Sequence, residues 1–306
     1  MTYLFSLKRG LAAAVAVFSW LALTPQAQAQ PVLFGGTSGN SSDGGVLGIL
    51  DQTTGQFTQL GDPTTDGPLP GIAINSAGQM FGSNNSGDKG TSVLIRIDPS
   101  NGQSLGTVGP IKDSADDEPL KVTDIAFQPG TDVLFGVTGP QEDPKEGNIY
   151  TINTTTAVAT KVGNTGLERG GLAFAPDGTL YLGTVGINAT PVIAKIDPTN
   201  ASVIGTPQDL DQAGVDALAV RPSDSVVFAK AADSDQLFTI DPSNGKMTFI
   251  ADEDAPNSVA SLTFSPGSIG KTKTAVPALS LTNVVALSVG LLACGYILLR
   301  RRSRRA

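Results

Sequence analysis

The sequence predicts an all-β fold in which five similar four-stranded sheets close into a ring, a five-bladed β-propeller. Two observations predict it: a pattern of four short strands recurs five times, and the first strand of the pattern stands at the end of the series. Apolar runs beside basic residues at both chain ends set the limits of this fold. We predict a signal peptide at 1–29, a propeller at 30–266, a linker at 267–275 and a sorting or transmembrane segment at 276–306.

The N-terminus has the layout of a secretory signal peptide. Lys8 and Arg9 precede an uncharged, mostly apolar run from Gly10 to Leu23, and Ala27–Ala29 is a small-x-small cleavage site. The apolar run is too short for a membrane span. The pattern therefore predicts export and cleavage near Ala29.

A tetrapeptide that we assign to strand A is the most regular internal repeat. Its second residues lie 44 to 53 positions apart, and repeats of this length with four strands each are typical of propeller blades. Strands B, C and D are short runs rich in β-branched and aromatic residues. They follow every copy except the last, and one more set precedes the first copy; strand D of the fourth repeat is predicted at Ser202–Ile204. The tetrapeptides are Gly71–Ile74, Asp124–Phe127, Gly171–Phe174, Ala217–Val220 and Ser261–Phe264.

The order of the strands predicts how the ring closes. The body begins with strand B at Val32 and ends with strand A at Ser261–Phe264, so the last strand completes the first sheet and removes an exposed edge. An irregular β-sandwich or barrel is the alternative fold. A solenoid is disfavoured because no capping repeat is visible.

The hexapeptide Ile-Asp-Pro-Ser-Asn-Gly occurs at Ile97–Gly102 and again at Ile240–Gly245. Its proline cannot donate to a sheet and ends strand C, its aspartate can bond nearby backbone amides, and its glycine permits a positive φ. We therefore predict a C–D turn, architectural instead of catalytic, on the face away from the D–A and B–C connections.

The best copy of the repeat, Gly170–Tyr181, reads GGLAFAPDGTLY. With the Ile-Asp-Pro turns, it resembles a broad group of bacterial propeller repeats. This resemblance covers the whole body of the chain and implies the fold only, since the group includes binding scaffolds and enzymes alike.

The C-terminus is predicted to span a membrane. No charged residue occurs from Ala275 to Leu299, and 25 residues suffice to cross a bilayer as a helix. The arginines that follow should stay cytoplasmic and leave the propeller outside. A buried core helix is the alternative.

This tail also resembles the sorting signals of bacterial exosortase-type systems (PEP-CTERM or IPTL-CTERM-like), which combine a short proline motif, an apolar helix and an arginine cluster. The resemblance implies an exosortase-type transpeptidase as a partner, and either anchoring in the envelope or release to the cell surface. The sequence leaves open whether the tail is cleaved. The matching residues are Val276, Pro277, Ala278, Leu279, Ser280, Arg300, Arg301 and Arg302.

Composition excludes several kinds of chemistry. The body of the chain, residues 30–274, carries 13 basic and 28 acidic residues, so nucleic acid is an unsuitable partner. The chain has no His, and its one Cys, Cys294, lies in the predicted span. Imidazole-based triads, thiol nucleophiles and His-ligated zinc are thereby excluded from the body. Paired-carboxylate chemistry remains available.

In a propeller of this order, the D–A and B–C connections share one face, which we call the mouth face. They hold 20 of the 28 acidic residues and six basic ones. Three interpretations stay open: a solvated surface, a site for a basic or cationic partner attracted by the field, and a calcium site. No other cofactor is predicted. The densest acidic candidates are Asp113, Asp116, Asp117, Glu118, Asp252, Glu253 and Asp254.

Asp124 and Asp216 stand at the start of strand A, nearest the axis. They are candidates for a carboxylate pair, with the alternative that each bonds a neighbouring loop. The sequence favours a non-catalytic, secreted and surface-sorted binding or structural module of the envelope or extracellular matrix. The alternative is a glycan-active enzyme using paired carboxylates at the mouth face.

Overall fold

The computed structural model describes residues 30–39, 44–64, 67–85, 91–139 and 146–266, and every regular element in these ranges is a β-strand. Within them there is accordingly no apolar helix of membrane-spanning length. The predicted signal peptide, linker and C-terminal segment lie outside the described residues.

The strands form five sheets, each a predicted blade. All pairings within a blade are antiparallel except that of β8, which runs parallel to β12 at the outer edge of blade 3. Blade 1 holds β1 (Leu33–Thr37), β2 (Leu47–Leu50), β3 (Phe57–Gly61) and β21 (Val259–Phe264); blade 2 holds β4 (Gly71–Ile74), β5 (Met80–Asn84), β6 (Val93–Ile97) and β7 (Ser104–Pro110); blade 3 holds β8 (Lys112–Asp113), β9 (Val122–Phe127), β10 (Leu134–Thr138), β11 (Asn148–Ile152) and β12 (Val158–Asn164); blade 4 holds β13 (Gly170–Phe174), β14 (Leu180–Thr184), β15 (Val192–Ile196) and β16 (Val203–Asp209); blade 5 holds β17 (Val215–Val220), β18 (Val227–Ala231), β19 (Gln236–Asp241) and β20 (Lys246–Asp252).

The ring closes by strand exchange. The last strand, β21, pairs with β1 in the register Leu262 to Gly35. Beside this pair, the Val32 amide donates to Ser265 Oγ at 3.0 Å, and the Ser265 amide donates to the Val32 carbonyl at 2.9 Å. The predicted closure is confirmed, and it brings the two ends of the propeller together.

The inner strands β4, β9, β13, β17 and β21 surround the axis, each beside the next. The second and fourth residues of each tetrapeptide pack on the preceding blade, as Leu172 and Phe174 do on Phe135. The rings of Phe135 and Phe174 meet edge to face at 5.2 Å, a geometry that adds about 1 kcal/mol to simple burial. Two other blade interfaces have the same pair, Phe81 with Phe127 and Phe228 with Phe264.

The outer strands are longer than predicted. Strand β16 runs from Val203 to Asp209, whereas the sequence indicated Ser202–Ile204. It continues through Pro207 because an edge strand does not require every backbone donor. Most of its residues are at least partly exposed, so no alternation of apolar residues marked its length.

The five C–D turns have one conformation. In the last of them, Asp241 accepts the Ser243 hydroxyl and amide at 2.6 and 2.9 Å, and these bonds lower the pKa of the Asp241 carboxyl. The Gly245 amide donates to the Asp241 carbonyl at 2.9 Å. The residue in this position has φ between +60° and +73° in every blade: Gly55, Gly102, Ala157, Ala201 and Gly245.

Each C–D turn is also a joint between blades, because the outer strand of one blade ends against the turn of the next. A side chain on Gly245, for example, would overlap the carbonyl of Asp209 at the end of β16. At least one glycine occupies every joint, and at every joint except that of Gly109 with Ala157 an added side chain would meet the facing backbone at less than 3.0 Å. The facing residues are Gly61 and Gly102, Gly109 and Ala157, Gly163 and Ala201, Asp209 and Gly245, and Asp252 and Gly55.

Gly245→Ala should therefore destabilise the propeller more than Gly205→Ala. Both glycines have nearly the same φ, +73° and +72°, but nothing lies within 4 Å of a Cβ at Gly205. The strain of a positive φ is thus common to both variants, and the overlap adds about 1–3 kcal/mol at Gly245 alone. Denaturant unfolding measures the difference; equal losses would contradict the joint.

Candidate functional site

The D–A and B–C connections meet on one face, as the mouth-face prediction requires, except that the hairpin around Lys112–Pro119 extends from that face to the start of β12, beside the C–D turn of blade 3. In blade 2 the amide of Ser92 bonds the carbonyl of Leu120 at 2.9 Å, and in blade 5 the amide of Glu253 bonds the carbonyl of Asp235 at 2.7 Å. Some mouth-face acids counted from the sequence lie outside the described residues: Asp43, Asp66, Asp88, Glu142 and Asp143.

Asp124 is fully buried at the axis of the ring. Its carboxylate accepts the amide of Ile125 in its own strand at 2.8 Å and the amide of Leu172 in the next blade at 2.7 Å. A third backbone bond comes from Leu218, one blade further on. One side chain therefore links blades 3, 4 and 5 across the channel.

The small residues around Asp124 explain why its side chain fits. The other four blades carry Gly71, Gly171, Ala217 and Ser261 at this position. A Cβ on Gly71 would lie 3.0 Å from the Asp124 Cα, and one on Gly171 would overlap the backbone of blade 5. The channel thus has room for one carboxylate at this level.

Burial raises the pKa of Asp124 well above the usual carboxyl range, while its three backbone donors act in the opposite direction. Asp216, one residue before the tetrapeptide of blade 5, is half-buried. Burial raises its pKa too, against the nearby positive charges of Arg169 and Lys230. The two candidate acids interact, but only Asp216 is partly open to solvent, so their surroundings differ.

Glu253 belongs to a buried ion pair that sequence reasoning missed. Its Oε1 lies 4.0 Å from Lys230 Nζ, and the two side chains are 1 % and 2 % exposed. The Glu253 carboxylate accepts the amides of Ala255 and Val259 at 2.8 and 2.9 Å. Lys230 Nζ also donates to Ser258 Oγ at 3.0 Å. Together these bonds hold the connection that leads into β21.

One sequence signal could have revealed this pair. Lys230 stands near the end of strand B, where the four other blades carry small or apolar residues. A lysine at a position that the repeat buries needs a buried partner, because an unpaired charge there is costly. The equivalent residues are Gly36, Ser83, Val137 and Gly183.

Asp113 is buried as well and serves the packing of blade 3. Its carboxylate accepts the hydroxyl of Tyr150 at 2.9 Å and the amide of Ala115 at 3.0 Å. Burial and this carboxylate raise the pKa of the Tyr150 hydroxyl. Since Asp113 is occupied by its own chain, it does not face a ligand at the mouth.

The remaining candidates are exposed. Asp117 pairs with Lys112 at 2.8 Å, Asp116 accepts the Glu118 amide at 3.1 Å, and Asp254 accepts the Phe57 amide of blade 1 at 2.5 Å. Asp252 is exposed at the end of β20. Across the part of the chain that the structure describes, no three metal-binding side chains lie close enough together to hold an ion.

A second concave site, not found from the sequence, lies on the opposite face among the A–B turns. It is an apolar cavity of about 280 Å³ lined by inner strands of all five blades, and we call it the axial cavity. The cavity extends to Ile125 and Leu172, whose amides bond Asp124. The carboxylate of Asp124 therefore lies between the cavity and the mouth face. Prolines that recur after strand A line the outer rim of the cavity, and they are the sequence signal by which it could have been found. They are Pro129, Pro176, Pro222 and Pro266.

The sequence matches a known family of repeat proteins. Residues 124–288 match the family described as "Repeat of unknown function (DUF6923)". No curated protein matches the chain.

Solved structures with a similar fold include Myxococcus xanthus glutaminyl cyclase, at 17 % identity over 60 % of this chain and 70 % of that one, with a TM-score of 0.40. The nidogen/laminin complex matches at 12 % identity over 76 % and 98 %, with a TM-score of 0.49. A putative 6-phosphogluconolactonase from Bacteroides fragilis matches at 12 % identity over 79 % and 99 %, with a TM-score of 0.45. These likenesses carry no conclusion about activity.

The contribution of Asp124 to stability should depend on pH. Its raised pKa means that, above about pH 4, the folded protein retains a proton that the unfolded chain has lost. Stability from this group is thus full below pH 4 and is lost as pH rises through the folded pKa. The advantage of wild type over Asp124→Asn in denaturant unfolding should be greatest near pH 4 and shrink toward pH 8. A difference between wild type and Asp124→Asn that stays constant with pH would refute the assignment.

Breaking the Lys230–Glu253 pair should destabilise the ring. Lys230→Met and Glu253→Gln each leave a partner buried without its opposite charge, at a cost of about 3 kcal/mol. The double variant should lose less than the sum of the two, as a double-mutant cycle of unfolding free energies will show. Simple additivity would mean that the two groups do not interact.

Proposed function

The chain belongs to the DUF6923 family of repeats of unknown function, and we propose that it is a non-catalytic β-propeller exported to the bacterial surface as a binding or structural module. The proposed partners are an exosortase-type transpeptidase at the C-terminal tail and an envelope or matrix polymer at the mouth face. The proposal includes membrane attachment through the tail before or instead of processing, and requires no cofactor.

The state of the mouth-face carboxylates supports a non-catalytic role. A catalytic carboxylate must touch its substrate, either as an acid or as a nucleophile. Asp124, Asp113 and Glu253 are instead buried and bonded to backbone amides or to Tyr150. The best-placed pair from the sequence, Asp124 and Asp216, has one member that no substrate can reach from solvent.

The exposed acids support binding of a positively charged polymer. Asp116, Asp117 and Glu118 form one exposed group on the connection between blades 2 and 3. Asp252 and Asp254 form another beyond β20. Fields of one sign raise the rate at which oppositely charged partners associate, and salt screens them.

Chitosan, a cationic glycan polymer, tests binding and catalysis in one sample. The full-length protein should sediment with chitosan at low salt and be released at high salt, without forming new reducing ends. Neutralising Asp116, Asp117 and Glu118 as Asn, Asn and Gln should weaken sedimentation. The matched control is Asp98→Asn, Asp197→Asn and Asp241→Asn on the C–D turns, where Asn153 already replaces the aspartate of blade 3.

Reducing ends released by wild type but not by Asp216→Asn would overturn the non-catalytic proposal in favour of a glycan-active enzyme. Equal sedimentation of both triple variants would overturn the assignment of binding to Asp116, Asp117 and Glu118. A cleaved C-terminus in the cell-surface protein, determined by mass spectrometry, would support sorting over plain anchoring.

A further inference from the structure

We propose that the axial cavity is a binding site for a small, neutral aromatic molecule that carries one hydrogen-bonding group. The site lies on the face of the A–B turns, with the Asp124 carboxylate between it and the mouth face. It shares none of the exposed acids of the mouth face, so it is independent of the partner proposed there.

The walls of the cavity suit a flat apolar group. Phe127, Phe174 and Phe264 stand at the same position of three blades, with Ile74 and Val220 in the other two. Between them lie the third residues of four tetrapeptides, Ala126, Ala173, Ala219 and Thr263. Small residues near the axis and aromatic residues around them leave an apolar space without filling it.

Backbone groups supply the polar contacts. The amides of Gln128, Ala175 and Arg221 donate at 2.8–2.9 Å to the carbonyl of the residue just before strand B of their own blades. In an antiparallel sheet alternate residues point their N–H and C=O groups to opposite sides, so the preceding residues direct theirs toward the axis. Those residues are Phe127, Phe174 and Val220. The amide of Leu172, two residues before Phe174, also points toward the axis, as its bond to Asp124 shows.

The charges near the cavity select a neutral ligand. Among the described lining residues, Asp132 is the one charged side chain, and it stands at the rim. Its carboxylate already accepts the Ser76 amide and hydroxyl at 3.0 and 2.5 Å. An anion would enter beneath Asp124 without a cation to balance it, and a cation would lose its hydration against apolar walls.

The volume limits the ligand to about one substituted ring. The cavity measures about 280 Å³. A dry apolar cavity of about 150 Å³ holds benzene, whereas sites for drug-sized ligands begin at about 300 Å³. A phenol fits both the size and the polar groups, because its hydroxyl can donate to a backbone carbonyl and accept from an amide.

Titration with p-cresol tests the site, using the full-length protein in detergent micelles with empty micelles as the blank. We expect saturable binding by calorimetry, with amide NMR shifts at Phe127, Phe174 and Val220 but not at Ser92 on the mouth face. The anion 4-hydroxybenzoate should bind at least about tenfold more weakly.

Thr263→Phe should fill the cavity and weaken p-cresol binding at least about tenfold, whereas Thr263→Val, which keeps the volume, should not. A thermal unfolding scan establishes that each variant is folded. The wild-type NMR map locates the site even if Thr263→Phe fails to fold. No saturable binding, shifts confined to the mouth face, equal affinity for 4-hydroxybenzoate, or full affinity in folded Thr263→Phe would each overturn the proposal.

Discussion

The pairing of β21 with β1 is the constraint on which the rest of the propeller depends. Without it, blade 1 would have three strands and β21 would have no sheet. The pair joins segments more than 220 residues apart, so its contacts form only when the intervening blades have brought the ends together. Closure thereby makes five locally similar sheets into one cooperative unit.

The closing seam between blades 5 and 1 combines a repeated contact with individual ones. Asp254 accepts the Phe57 amide of blade 1, as Asp211 accepts the Met247 amide between blades 4 and 5. The Lys230–Glu253 pair holds the connection into β21. On the opposite face, Arg221 of blade 5 donates to Gln52 of blade 1 at 2.8 Å. These bonds reinforce the seam at which the chain passes from blade 5 into the last strand of blade 1.

Most of the fold could be predicted from the sequence because it depends on interactions between residues that are close in the chain. The tetrapeptide places apolar residues between blades, and the aspartate, proline and glycine of the C–D turns act within six residues. The chemistry near the axis was not readable in this way, because it depends on neighbours from other blades. Asp124 and Asp216 both stand near the start of strand A, yet only Asp124 is fully buried, with Gly71 of blade 2 close to its backbone. Nor does any local pattern show that Glu253 meets Lys230.

The two ends of the channel differ in what they offer to other molecules. The mouth face has many carboxylates, but its buried ones already satisfy backbone amides or hold blades together. The axial cavity has few polar side chains and an open apolar space. The buried carboxylates that stabilise the ring thus lie on the side of the mouth face, whereas the apolar cavity that can bind a ligand lies on the face of the A–B turns.

The position of Asp124 also limits how many blades the ring can have. Its carboxylate spans from β9 to amides of the next two blades because five inner strands leave a channel about one side chain wide. A sixth repeat would move those strands outward, beyond the reach of an aspartate. Duplication of a repeat, which the similarity of the blades would otherwise allow, would leave this carboxylate buried with too few donors. The short reach of the Asp124 side chain therefore favours a ring of five blades over a larger one.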